Sequence, residues 1–283
     1  MSSDHDTASS GQAVPFRDNR YRPGDGHLLH AAGTGDAYRV DIAVPGGDAP
    51  GPGWPLVLLL DASGCFGTCV EALGRMSRRP DATGVVPMVV AGISAPEGMA
   101  DTARRRRDFT SAVAGVPGSG GAPGFLRFIE EQVKPLIARK APLDPARQTL
   151  FGHSLAGYFT LWCLASHAPS FQSYAAISPS IWWDSDGLTA ALADAPLTDR
   201  QVLICLGEWE DALPPWQLAA PGSSEVIARR AGRRMLDRAR AVSAQLAAIH
   251  GSDRVQFRFL PEEDHASIVS AAIPRMLRMA SAG

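Results

Sequence analysis

The sequence predicts a single α/β domain: a doubly wound, mostly parallel sheet with an antiparallel hairpin at its N-terminal end. Three observations carry this. Short apolar runs alternate along the chain with longer amphipathic stretches, the rhythm of repeated β–α units. The runs 55–60 and 85–93 are almost wholly apolar, as strands covered on both faces must be. Polar residues gather directly after these runs, at the sheet edge where open α/β folds bind ligands.

Residues 1–25 are rich in Ser, Asp, Gly and Pro and read as a loosely ordered arm, leaving 26–283 as one domain. Two runs, 28–32 and 37–44, flank Gly33-Thr34-Gly35. The second alternates Tyr38, Val40, Ile42 and Val44, which predicts a hairpin. After a Gly/Pro loop at 46–53, the strand 55–60 ends in Asp61-Ala62-Ser63-Gly64. A helix is expected at 70–77 and a strand at 85–93. A Gly-rich loop follows at 113–123. Residues 125–139 place Phe125, Phe128, Ile129, Val133 and Leu136 on one side of a helix. Strands at 148–151, 174–177, 201–206 and 255–260 then alternate with helices at 157–168, 226–250 and 268–279.

Composition narrows the function classes. Hydrophobic residues make up 45% and charged residues 20%, ordinary for a globular chain with a sizeable core. A formal charge of −2 offers no broad basic field, which argues against nucleic acid as a partner. Cys65, Cys69, Cys163 and Cys205 lack His partners at zinc-like spacing and suggest neither a metal site nor a disulfide framework. No stretch approaches a transmembrane span, and residues 1–26 lack the apolar run of a signal peptide. The expectation is a cytoplasmic protein with no membrane partner. Oligomeric state is not legible.

The densest chemical signal is Leu150-Phe151-Gly152-His153-Ser154-Leu155-Ala156-Gly157. A buried strand, a sharp turn with serine at its tip and an apolar helix together make a nucleophile elbow. Small residues two before and two after the serine let strand and helix approach. The helix N-terminus turns free N–H groups toward negative charge developing beside Ser154. A serine hydroxyl needs a base, and His265, just past the last strand, is the candidate. The orienting carboxylate comes from Glu208, Glu210, Asp211 or Asp264. Glu210, three residues after Gly207, is favoured, then Asp211. The order Ser, acid, His is that of α/β-hydrolases. The N–H of Leu155 supplies one oxyanion donor and that of Ala62, after the strand 55–60, the second, with Asp61 holding the loop. The constellation calls for no cofactor and no metal.

Beyond these residues, the sequence resembles the single-domain siderophore esterase branch of the α/β-hydrolases, the enterochelin, salmochelin and bacillibactin trilactone esterase-like proteins. The likeness runs from about Leu28 to Met279. It is carried by Leu60-Asp61-Ala62 with Phe66-Gly67-Thr68, by 104–110, and by Asp144-Pro145 leading into Phe151-Gly152-His153-Ser154. It continues in Ser178-Pro179-Ser180-Ile181-Trp182-Trp183-Asp184, Gly207-Glu208-Trp209-Glu210 and Asp264-His265. The resemblance implies a serine esterase acting on a small-molecule ester, a ferric siderophore being the suggested substrate. Three departures imply an altered pocket: Ala156 in place of glycine, Ser94-Ala95-Pro96 in place of Gly-Tyr-Pro, and Cys65 in place of an aromatic.

His153, inside the elbow, could line the cleft, as could Trp182 and Trp183. Arg104 to Arg107 could meet an anionic substrate, Arg107 among them, through charge-assisted hydrogen bonds. Adjacent arginines cannot all face one ligand, so internal ion pairs are the stronger expectation for this run. Two other readings stay open: an acyltransferase or thioesterase on the same triad, and a siderophore-binding protein with a vestigial site.

Overall fold

The computed structural model describes residues 25–98, 102–113, 116–195 and 199–282; the expected N-terminal arm lies almost wholly outside them. Eight strands among these residues form one sheet: β1 (Asp25–His30), β2 (Ala37–Ala43), β3 (Trp54–Leu60), β4 (Val89–Ser94), β5 (Leu143–His153), β6 (Ser173–Ile177), β7 (Gln201–Gly207) and β8 (Val255–Leu260). Their order is β1-β2-β4-β3-β5-β6-β7-β8. β1 and β2 form the expected hairpin, and β2 runs antiparallel to β4. From β4 to β8 all neighbours are parallel, so those strands end at one edge. β4 starts later than its apolar run, at Val89, because Pro87 has no N–H to give a ladder.

The helices are α1 (Phe66–Met76), α2 (Pro80–Thr83), α3 (Thr102–Phe109), α4 (Ala122–Phe128), α5 (Lys134–Lys140), α6 (Leu155–His167), α7 (Ser185–Ala193), α8 (Ser223–Arg233), α9 (Met235–His250) and α10 (Ile268–Ala282). Period-two alternation divides the core between the faces. Leu56, Leu58 and Leu60 join α3 to α7 and α9 on one side. Val57 and Leu59 join α1 and α10 on the other. This double cover explains why the strands read as unbroken apolar runs.

Two helical expectations change, and one helix is new. The helix at 125–139 is interrupted by a π turn, Ile129–Val133. Pro135 lacks an N–H, and its ring would crowd the carbonyl four residues earlier, so the helix widens for one turn. The helix at 226–250 is two helices, parted at Arg234, whose φ of 48° is left-handed. The Asp211 carboxylate accepts from the N–H groups of Met235 (2.9 Å) and Leu236 (3.0 Å) and so caps α9 from outside its own segment. α7 was not anticipated; Asp184, whose carboxylate accepts from the N–H of Gly187, caps it.

Candidate active site

Ser154 sits between β5 and α6 with φ 59° and ψ −117°, a conformation a non-glycine residue holds at a cost of about 1–3 kcal/mol. Its surroundings fix it there. Its N–H donates to Ile177 O (2.9 Å), and its carbonyl accepts from the N–H groups of Tyr158 and Ser180, both at 3.0 Å. Gly152 is obligatory, since a Cβ there would lie 2.1 Å from Ala156 O. Position 156 itself tolerates the alanine, whose methyl is fully buried.

Ser154 Oγ lies 2.9 Å from His265 Nε2. His265 Nδ1 faces both carboxylate oxygens of Glu210, at 2.9 and 3.1 Å. An ionised carboxylate only accepts, so Nδ1 carries the proton and Nε2 is left to take the serine's. Glu210 is buried, and its second contact is the hydroxyl of Ser178, which donates to Oε1. The acid and base loops are tied to each other. Trp209 N–H donates to Glu263 O (3.0 Å) and Glu262 N–H to Glu208 Oε2 (2.8 Å). Gly207 permits this approach, because a Cβ there would lie 2.3 Å from Glu263 O. The four carboxylates considered from sequence thus part company. Glu210 meets His265, Glu208 holds the base loop and Asp211 caps α9. Asp264 accepts from the N–H groups of Ala266 and Ser267 at the start of α10.

The Ala62 loop follows β3 as a short helical turn, Ala62–Gly64, entered through Asp61 at φ 50°. It is pinned at two points: Ser63 N–H donates to Ser94 Oγ (2.8 Å), and Arg105 Nε donates to Asp61 Oδ2 (2.8 Å). Gly92 of β4 makes room for it, since a Cβ there would meet the Ala62 methyl at 2.4 Å. Burial pushes the Asp61 carboxyl up from its ordinary value while Arg105 opposes the shift. A hydroxyl, a base, an acid and N–H groups at two helix starts are the parts needed for acyl transfer.

Residues 31–265 match the family described as "Putative esterase". The chain belongs to this esterase family. The esterase is 36% identical over 265 residues to the ferri-bacillibactin esterase BesA of Bacillus subtilis (strain 168), covering 89% of this chain and 88% of the relative. It is 32% identical over 238 residues to the siderophore triacetylfusarinine C esterase of Aspergillus fumigatus, covering 80% of each. The crystal structure of the BES protein from Bacillus cereus superposes with a TM-score of 0.76 at 29% identity, covering 97% of this chain and 99% of that one. The esterase has the α/β-hydrolase fold of these proteins.

The remaining sequence-predicted residues of the esterase fall into two groups. His153 packs its ring against that of His265 at 4.6 Å between centroids, and burial pushes its pKa down to about 3, so it is neutral. Trp182 and Trp183 follow Ser180, whose Oγ is 3.4 Å from that of Ser154, and their rings meet edge to face at 6.3 Å. Arg107 is not brought to this group. It pairs with Asp36 and Asp108, both at 2.8 Å, beside a cavity lined by Thr34, Tyr38, Phe125 and Gln132. Two of its neighbours behave likewise, Arg104 facing Asp108 and Arg105 holding Asp61, so these three arginines are spent on internal pairs.

Sequence reasoning missed Ser178, Ser180 and Arg233. The two serines carried a signal, since they follow β6 directly at the sheet edge. Arg233 carried none. Its guanidinium lies 4.6 Å over the Trp182 ring, on a helix far along the chain that the amphipathic pattern alone does not direct there.

Proposed function

We propose that the esterase hydrolyses a siderophore-type carboxylic ester through Ser154, His265 and Glu210. The observation that carries the reading is the unbroken contact from Ser154 Oγ through the His265 ring to a buried carboxylate. His265 Nε2 takes the hydroxyl proton as Ser154 Oγ attacks the ester carbonyl, and Glu210 stabilises the imidazolium that forms. The N–H groups of Leu155 and Ala62 receive the oxyanion. The imidazolium then protonates the departing alkoxide, leaving an acyl-enzyme. Water attacks that ester with His265 as base, releasing the acid and restoring Ser154. The relatives named for siderophore esters support the substrate class.

The test is hydrolysis of p-nitrophenyl acetate and of a trilactone siderophore, with and without iron, by wild type and Ser154→Ala. Fluorophosphonate labelling is located by mass spectrometry. Loss of roughly 10³–10⁶-fold in kcat for the variant, with the wild-type label on Ser154, is the expected result. Wild-type protein that is folded but neither turns over nor labels would overturn the reading.

A further inference from the structure

Arg104, Arg105 and Arg107 are held in internal pairs, and a cation beside Trp182 is found instead on α8. No residue of α8 is buried, yet the helix is fastened: Arg230 donates to the carbonyls of Trp209 and Ala212, on the loop that carries Glu210. One turn further on, Arg233 places its guanidinium carbon 4.6 Å from the centre of the Trp182 ring. Its guanidinium is half-buried, with no carboxylate in ion-pairing range and no hydrogen-bond partner for its N–H groups among the described residues. Glu210 is the acidic group nearest it in electrostatic terms, but both Glu210 oxygens are engaged by His265 and one also by Ser178. Burial, helped by the like charges of Arg229 and Arg230 on the same helix, pulls the Arg233 guanidinium below its ordinary pKa. A stacked guanidinium is a planar, pre-set fork for an anionic group and an extension of an aromatic wall.

We propose that Arg233, stacked on Trp182, is the specificity-determining residue that makes the esterase prefer substrates bearing an aryl-linked anion remote from the ester. This rests on the esterase reading above and adds that the preferred form of a siderophore-type ester is the anionic one. The incoming anion supplies the negative partner that Arg233 lacks, while its ring lies along Trp182. The reacting groups play no part in this selection.

The experiment uses two esters of one skeleton, 2-naphthyl acetate and its 6-sulfonate. Both are turned over by wild type, Arg233→Gln and Arg233→Lys, with circular dichroism as the check on folding. Intrinsic reactivity cancels when the sulfonate-to-neutral ratio of kcat/KM is compared between proteins. That ratio falls about tenfold in Arg233→Gln, as expected for one charge-assisted hydrogen bond at a half-buried site, and the loss is in KM. Arg233→Lys keeps the charge and restores part of the ratio. In wild type the ratio shrinks as salt rises from about 20 mM to about 0.5 M. A folded Arg233→Gln with an unchanged ratio, or with both esters slowed in parallel, overturns the proposal and leaves the esterase standing. If wild type hydrolyses neither ester and Ser154 takes no phosphonate, the function reading fails instead. Arg233 is then judged by titrating naphthalene-2-sulfonate into the wild-type and Arg233→Gln proteins, where equal affinity overturns it.

Discussion

Carboxylates one residue apart on the same loop do unlike work, and substitution separates them. Glu210→Gln keeps the size of the side chain but loses the charge that stabilises the His265 imidazolium. It lowers kcat by roughly 10²–10⁴-fold at little cost to folding. Asp211→Asn weakens a helix cap instead, so urea unfolding shifts by about 1 kcal/mol while kcat stays near wild type. His153 offers a test by pH. Its folded pKa, about 3, lies below its ordinary 6.5, so the unfolded chain takes up this proton first. Stability from this group is complete above pH 6.5 and declines as pH falls toward 3, by at most about 1.4 kcal/mol per pH unit. His153→Gln removes that share of the slope, and urea midpoints compared between pH 6.5 and 4.5 measure the difference. An unchanged slope would mean the ring is not held neutral.

Elements were legible where one physical cause dominated. The central strands are covered on both faces, so their apolar runs announced them. In β2, Tyr38, Val40 and Ile42 share one face of the core, and their alternation announced the hairpin. Where chain ends depend on distant partners, the sequence is silent. Nothing near Arg234 says that the carboxylate of Asp211, 24 residues before Met235, will start a new helix there. α7 is a different failure, because Asp184 and its three-residue reach to Gly187 formed a local cap that the reading passed over. The left-handed Arg234 gives a prediction at this scale. Its ion pair with Asp237 is exposed and contributes little, so Arg234→Gly relieves backbone strain and raises stability by about 0.5–1 kcal/mol in chemical denaturation.

Across the whole molecule, the order of serine, acid and histidine after β5, β7 and β8 was enough to assemble the candidate site, because parallel strands bring their ends to one edge. The contact of Arg233 with Trp182 was not recoverable, since it depends on how α8 lies across the loop after β6. The fold also hides its thiols. All four cysteines are buried and free, and burial pushes those of Cys65, Cys163 and Cys205 up to about 12. The native protein therefore reacts with a thiol reagent at pH 8 only as fast as it opens, whereas denaturant releases all four at once. The fastening of α8 has a consequence for descent. Upstream, the acid loop is stitched to the base loop; downstream, Asp211 anchors the start of α9. Residues 212–233 hang between two fixed moorings and contribute almost nothing to the interior. Insertions or exchanges there that keep Arg230 leave the contacts among Ser154, His265 and Glu210 untouched, so this stretch can vary at low cost to folding.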